Sequence, residues 1–233
     1  MTKQKEFEIY LYINNNRFKI FLLDNINLKN LYTKELFLNN PFNDDFDELS
    51  KFLDDNIFKI EKLSEKFVED IVLIIDSNLE LQTNISIKKK INNNIVDRKI
   101  LNQVLVELKD LFKENNKEQD IIHMVIENFI IDEKKYKFFV ENLKSDFLNL
   151  DVKFFSLPNK SILKFNKVLE RYHIKAKYFV SGKYMKEFMH DKDIDLSFMA
   201  HKILNGHNIN EIKIIPKLSK NKGFFEKFFQ LFS

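Results

Sequence analysis

The chain has 233 residues, 44% hydrophobic and 31% charged, enough to bury the core of one large domain or two small ones and too apolar for a disordered tail. Its formal net charge is only +3, with acids and bases interleaved almost throughout, so it lacks the concentrated positive face that phosphate neutralisation demands of a duplex-binding protein, and no nucleic-acid partner is expected. Without cysteine it has no disulfide, thiolate nucleophile or zinc–thiolate site, which suits a reducing compartment.

Phe7, Ile9, Leu11 and Ile13 alternate with Glu8, Tyr10 and Tyr12. The Asn14-Asn15-Asn16 turn follows, then a second alternation through Phe18, Ile20 and Leu22 and a third run from Leu31 to Leu38. This predicts an antiparallel three-stranded meander. Pro41 and Asn43-Asp44-Asp45 end it, and a helix follows with Phe46, Leu49, Phe52 and Leu53 on one face. Ile71 to Ile75 then reads as a short buried strand.

The stretch from Leu81 to Leu157 reads as a unit of its own. Thr83, Ile85, Ile87 and Ile91 share one face of a strand, and Leu101, Val104, Leu105, Leu108, Leu111 and Phe112 recur at helical spacing. Ile121 to Ile126 is too continuously apolar for a half-exposed strand. Asp132 to Lys135 turns the chain toward Tyr136 to Val140, after which Leu150, Val152 and Phe154 alternate. One helix covering a sheet is the expected result. Beyond it, Pro158-Asn159 opens a helix with Ile162, Phe165, Val168, Leu169 and Tyr172 inward, Ile174 to Val180 is a strand, and Tyr184 to Leu204 is mostly helical.

The tail differs in character. After Pro216 come Lys217, Lys220 and Lys222, then a run in which Phe224, Phe225, Phe228, Phe229, Leu231 and Phe232 fall within an arc of roughly 160° of a helix. Glu226, Lys227, Gln230 and Ser233 fill the other side. An aromatic helix behind a lysine cluster is the pattern of an interfacial membrane anchor, its rings at the headgroup boundary and its lysines on anionic lipid. The alternative is a terminal helix docked on the protein's own core. On the anchor reading the membrane-binding residues are Lys217, Lys220, Lys222, Phe224, Phe225, Lys227, Phe228, Phe229, Leu231 and Phe232. The start of the chain lacks the apolar run of a secretory signal, and no segment approaches the roughly 20 apolar residues of a membrane span, so a cytoplasmic body is expected.

Residues that could carry chemistry have blander readings. Gly182, Gly206 and Gly223 are the only glycines, and the Gly182-Lys183 pair is followed by Tyr184 and preceded by Lys177 where a phosphate loop needs glycine. His123 lies in an apolar strand with no second histidine or paired acid at ligand spacing, and reads as a packed strand residue. Asp191, Asp193 and Asp195 begin like a calcium loop, but Leu196 stands where glycine is needed and Lys202 where the bidentate glutamate is. His190, His201 and His207 lack metal-site spacing. Asp44, Asp45, Asp54 and Asp55 read as solvated helix positions, and Lys88-Lys89-Lys90 as protection of a sheet edge. No catalytic residue, cofactor or metal is expected.

In this order the sequence resembles the bacterial cell-division family FtsA, which is actin-like. The resemblance rests on Val68 to Ile75, on Ile121-Ile122-His123-Met124-Val125 with Phe129 to Asp132, on Val168 to Ile174, and on the aromatic tail. It implies an α+β protein: a reduced actin-like (ribonuclease H-like) subdomain carrying an inserted SHS2-type strand-helix-strand module and a C-terminal amphipathic helix. The implied division is 1–80 and 158–212 for the subdomain, 81–157 for the module and 213–233 for the basic linker and membrane helix. Tyr12-Ile13-Asn14-Asn15 stands where the superfamily has its Asp-x-Gly-Ser/Thr phosphate loop, and Gly182 to Lys192 lacks the second glycine cluster, so no ATP binding is expected. The implied role is a non-catalytic scaffold at the inner membrane face of the division septum, with self-association and division-protein contacts through the module. The resemblance makes FtsZ a possible partner, although the docking subdomain that the family uses for it is expected to be missing from this sequence. The actin-like pilus protein PilM shares the inserted module, so a pilus or secretion membrane-platform adaptor is the alternative.

Overall fold

A computed structural model describes residues 7–42, 46–189 and 194–212. Strands β1 (Phe7–Asn14), β2 (Arg17–Asp24) and β3 (Lys29–Phe37) form the antiparallel meander, followed by α1 (Asp47–Ser64) and β4 (Asp70–Asp76). The chain then builds β5 (Leu81–Val96), α2 (Arg98–Asn115), β6 (Gln119–Ile131), β7 (Lys134–Tyr136) and β8 (Leu143–Pro158). It returns through α3 (Asn159–Glu170) to β9 (Lys175–Ser181), then α4 (Gly182–Phe188) and α5 (Leu196–Leu204).

Two sheets result. The first, in order β3-β2-β1-β4-β9, has β4 parallel to both β1 and β9. Its central strands are buried on both faces, which is why they alternate between aliphatic and tyrosine rather than apolar and charged. Leu11, Ile13, Leu73 and Ile75 pack with Phe52, Leu53 and Ile60 of α1 and Phe165 and Leu169 of α3. Tyr10, Tyr12, Val72 and Ile74 face the opposite layer, Tyr184 and Met185 of α4 and Met199, Ala200 and Ile203 of α5. A three-layer body follows, each fully buried aliphatic side chain contributing about 1.5–3 kcal/mol.

The second sheet, β5-β8-β6-β7, lies wholly between β4 and α3 in the chain. Helix α2 covers one face, with Val104, Leu108 and Phe112 against Met124, Ile126, Leu150 and Phe154. Asp97 begins the helix by accepting the Ile100 N–H at 2.8 Å. The opposite face meets the first sheet's α4–α5 layer through Phe155, Ile122 and Val125. Thus β6 is apolar on both faces because α2 takes one and the main body the other.

Three details depart from the sequence reading. The turn after β6 is only Asp132-Glu133, both left-handed (φ 43° and 66°), so β7 is Lys134–Tyr136 and ends where a longer strand to Val140 was expected. Leu111, expected inward on α2, is 39% exposed. The helical span from Tyr184 to Leu204 is two helices, because Met189 leaves the helix with extended backbone.

Candidate functional site

The parallel strands β1, β4 and β9 end at Asn14, Asp76 and Ser181, and the crevice outside such strand ends is where open α/β sheets hold ligands. Here the crevice is occupied by the chain's own side chains. Asp76, with its side chain 10% exposed, accepts hydrogen bonds from the Tyr12 hydroxyl and the Lys186 ammonium. Asn14 Nδ2 donates to the Tyr12 oxygen at 3.2 Å, and the Arg17 guanidinium lies 5.5 Å from the Tyr12 ring centre. Burial, then the bond to Asp76, pushes the Tyr12 phenol up to about 12, so it stays a donor. In the β1–β2 hairpin, Asn14 Oδ1 takes the N–H groups of Asn16 (2.9 Å) and Arg17 (2.8 Å). Those amides are already spent within the turn. Gly182 is where α4 crosses closest: a Cβ there would come 2.3 Å from Asp76 Cβ.

Beside this lies a buried polar joint. Ser181 is the N-cap of α4, its hydroxyl accepting the Tyr184 N–H at 3.0 Å while donating to Glu80 Oε2. Glu80 is 6% exposed, and its second oxygen, Oε1, has no hydrogen-bond partner. Burial pushes its carboxyl up to about 7, against the lowering effects of Ser181 and Lys183. The Ser181 N–H donates to His123 Nε2 at 3.0 Å, which places the ring proton on Nδ1, 2.6 Å from Glu211 Oε1. Tyr184 donates to the other Glu211 oxygen at 2.8 Å, and its phenol is pushed up by burial, then by that carboxylate. This is not a nucleophile–base pair: the Ser181 hydroxyl points to Glu80, and only its backbone meets His123. Among the described residues no group of three His, Cys, Asp or Glu is placed to hold a metal ion.

No family model matches the sequence, and no curated protein matches it. Likeness emerges at the level of structure. The PilM–PilN type IV pilus biogenesis complex superposes with a TM-score of 0.50 at 8% identity, covering 78% of this chain and 49% of that one. This likeness is one of fold alone. The cytoplasmic domain of EpsL, an inner membrane component of the type II secretion system of Vibrio cholerae, matches with a TM-score of 0.38 at 8% identity, over 75% of this chain and 57% of that one. A Bacteroides thetaiotaomicron protein of actin-like ATPase fold and unknown function matches with 0.33 at 15% identity, over 80% and 57%. The chain therefore spans about half of the length of these structures (49–57%).

Tyr12 and Asn14 of the crevice belong to the stretch that the sequence reading set against a phosphate loop, and Tyr12 is tied to Asp76. The membrane residues inferred from sequence, Lys217 to Phe232, lie outside the described residues. So do Asp44, Asp45, His190, Asp191 and Asp193. Asp195 accepts from Asn30 at 3.1 Å, and Asp54 from Tyr172 at 2.7 Å. His201 faces Glu8 at 3.0 Å, and His207 bonds the Lys202 carbonyl at 2.8 Å. Lys88 to Lys90 lie on β5, the edge strand of the second sheet, with Lys89 paired to Glu107 and Lys88 over the Phe147 ring. His123 is packed, as read, but it has an acid partner that spacing could not show, because Glu211 is 88 residues away. Glu80, Ser181 and Tyr184 were not singled out at all; a glutamate ending the neck between two apolar strands was the one available signal.

Proposed function

We propose that this protein is a non-catalytic scaffold of actin-like fold that works at the cytoplasmic face of a membrane, presenting its inserted sheet to partner proteins. The observation that carries the non-catalytic part is the crevice, where Tyr12 and Lys186 close on Asp76 and Asn14 donates to Tyr12. A phosphate would have to displace a buried tyrosine to enter. The membrane part rests on the lysine–phenylalanine tail. Among the described residues no helix is long and apolar enough to cross a membrane; the amphipathic pattern of the tail is what assigns attachment to the interface. The partner surface is assigned to 81–157, read as an SHS2-type module, whose edge strand β5 runs open for 16 residues.

The finer reading taken from the sequence is a division scaffold similar to FtsA, with division proteins and further copies of the chain as partners. The likeness of fold to PilM favours a second reading, a pilus or secretion platform adaptor. Imaging of the full chain, tagged at its N-terminus in dividing cells, separates them. Midcell rings support the division scaffold, and membrane foci that ignore the division plane support the platform adaptor. Uniform cytosolic signal contradicts both. In vitro, the full chain should sediment with anionic vesicles and lose that property in a Phe228→Asp, Phe229→Asp variant; a parent that ignores such vesicles removes the membrane part.

A further inference from the structure

The last described residues leave α5 and cross onto the inserted sheet. Glu211 forms an antiparallel bridge with Val125 of β6. The Ile126 N–H donates to the Asn210 carbonyl at 3.0 Å, and the Ile212 N–H to the Met124 carbonyl at 2.8 Å. Side chains fasten the same five residues. Glu211 is held by His123 Nδ1 (2.6 Å) and the Tyr184 hydroxyl (2.8 Å). Asn208 Nδ2 donates to the Tyr184 oxygen and Asn210 Nδ2 to the Lys137 carbonyl, each at 2.9 Å. Ile212 packs on the inserted sheet's own core. Through His123 Nε2 and the Ser181 N–H, 3.0 Å apart, this chain of bonds ends on the last residue of β9 in the main sheet.

We infer that Asn208 to Ile212 is a latch that locks the inserted sheet against the main body. Three features make it the part that lets go first. It borrows an open stretch of the β6 edge with two backbone bonds, whereas β6 is paired to β8 from Gln119 to Ile131. Its grip is concentrated in one carboxylate, and a buried donor left without its acceptor costs more than the bond was worth. Apart from it, the two bodies are joined by the apolar contact of Phe155, Ile122 and Val125, by bonds such as the one from His123 to Ser181, and by the chain crossings at 77–80 and at Pro158-Asn159. In the sequence Ile212 is followed by residues 213–216 and then the lysine–phenylalanine segment, so the latch is the described element covalently nearest to a load on that segment. That last step rests on the membrane reading; the latch does not.

The absence of cysteine lets two be introduced cleanly. Spin labels at Lys59→Cys on α1 and Asn102→Cys on α2, both exposed positions, report the angle between the two bodies in the full chain. The parent should give one narrow distance. Glu211→Ala should add a second population and speed exchange of the Ile126 amide about tenfold or more, while amides of Leu11 and Leu150 keep their protection. An unchanged distance and unchanged Ile126 exchange overturn the latch. If Leu11 and Leu150 also lose protection, the milder Asn208→Ala, which removes only the Tyr184 contact and the Asn210 N–H acceptor, is read by the same criteria. Adding anionic vesicles to the parent should produce the second population; a latch that opens in Glu211→Ala and never with vesicles overturns the coupling to the tail alone.

Discussion

Glu80 is a carboxyl held in an environment that its type disfavours. Its folded carboxyl titrates at about 7 against an ordinary 4.5, because burial penalises the ionised form and one oxygen has no donor. A carboxyl raised on folding binds its proton more tightly in the folded state. Its contribution is therefore full below pH of about 4.5, declines as the pH rises to about 7, and stays lost above that. Glu80→Gln, which can still accept from Ser181, should be the more stable protein at pH 8 by up to about 3 kcal/mol, with the gap closing toward pH 5. Urea unfolding at the two pH values checks this, and a variant less stable at pH 8 contradicts it. At Gly182 the outcome runs the other way. Gly182→Ala places a methyl 2.3 Å from Asp76 Cβ, and should cost about 1–3 kcal/mol by the same assay. None of this was legible in the sequence. Glu80 and Ser181 are 101 residues apart, His123 and Glu211 are 88 apart, and pattern reading reports only local periods.

Elements were far more legible, because each has a face to bury. The alternation of β1 and β2 and the helical spacing of α2 follow directly from the surfaces they cover. What remained hidden was set by contacts with distant parts of the chain. Tyr10 and Tyr12 read only as the positions alternating with the aliphatic ones, and are buried because α4 and α5 return over them. The start of β7 at Lys134 was set by two left-handed residues at Asp132-Glu133. Within the inserted sheet, Phe112 is fully buried and stacks on Phe154 with ring centres 4.8 Å apart. Phe112→Ala should cost about 3–5 kcal/mol. Since the two bodies have separate cores, the loss should fall on β5 and β8 amides and leave those of β1 protected; equal loss in both would show a single cooperative unit.

At the scale of the whole molecule, a five-stranded sheet between two helical layers carries a second sheet inserted after β4 and latched back onto it. The order of strands and helices in the main sheet was legible from the sequence; the tail that would anchor it lies outside the described residues. The crevice at the ends of β1, β4 and β9 is closed by the chain's own residues. Isothermal calorimetry of the full chain with MgATP tests this directly. The prediction is no saturable heat in the millimolar range, for the parent and for Lys186→Ala alike. Saturable binding that Lys186→Ala weakens would show that the crevice opens to a nucleotide, and would contradict the reading of this protein as a non-catalytic scaffold.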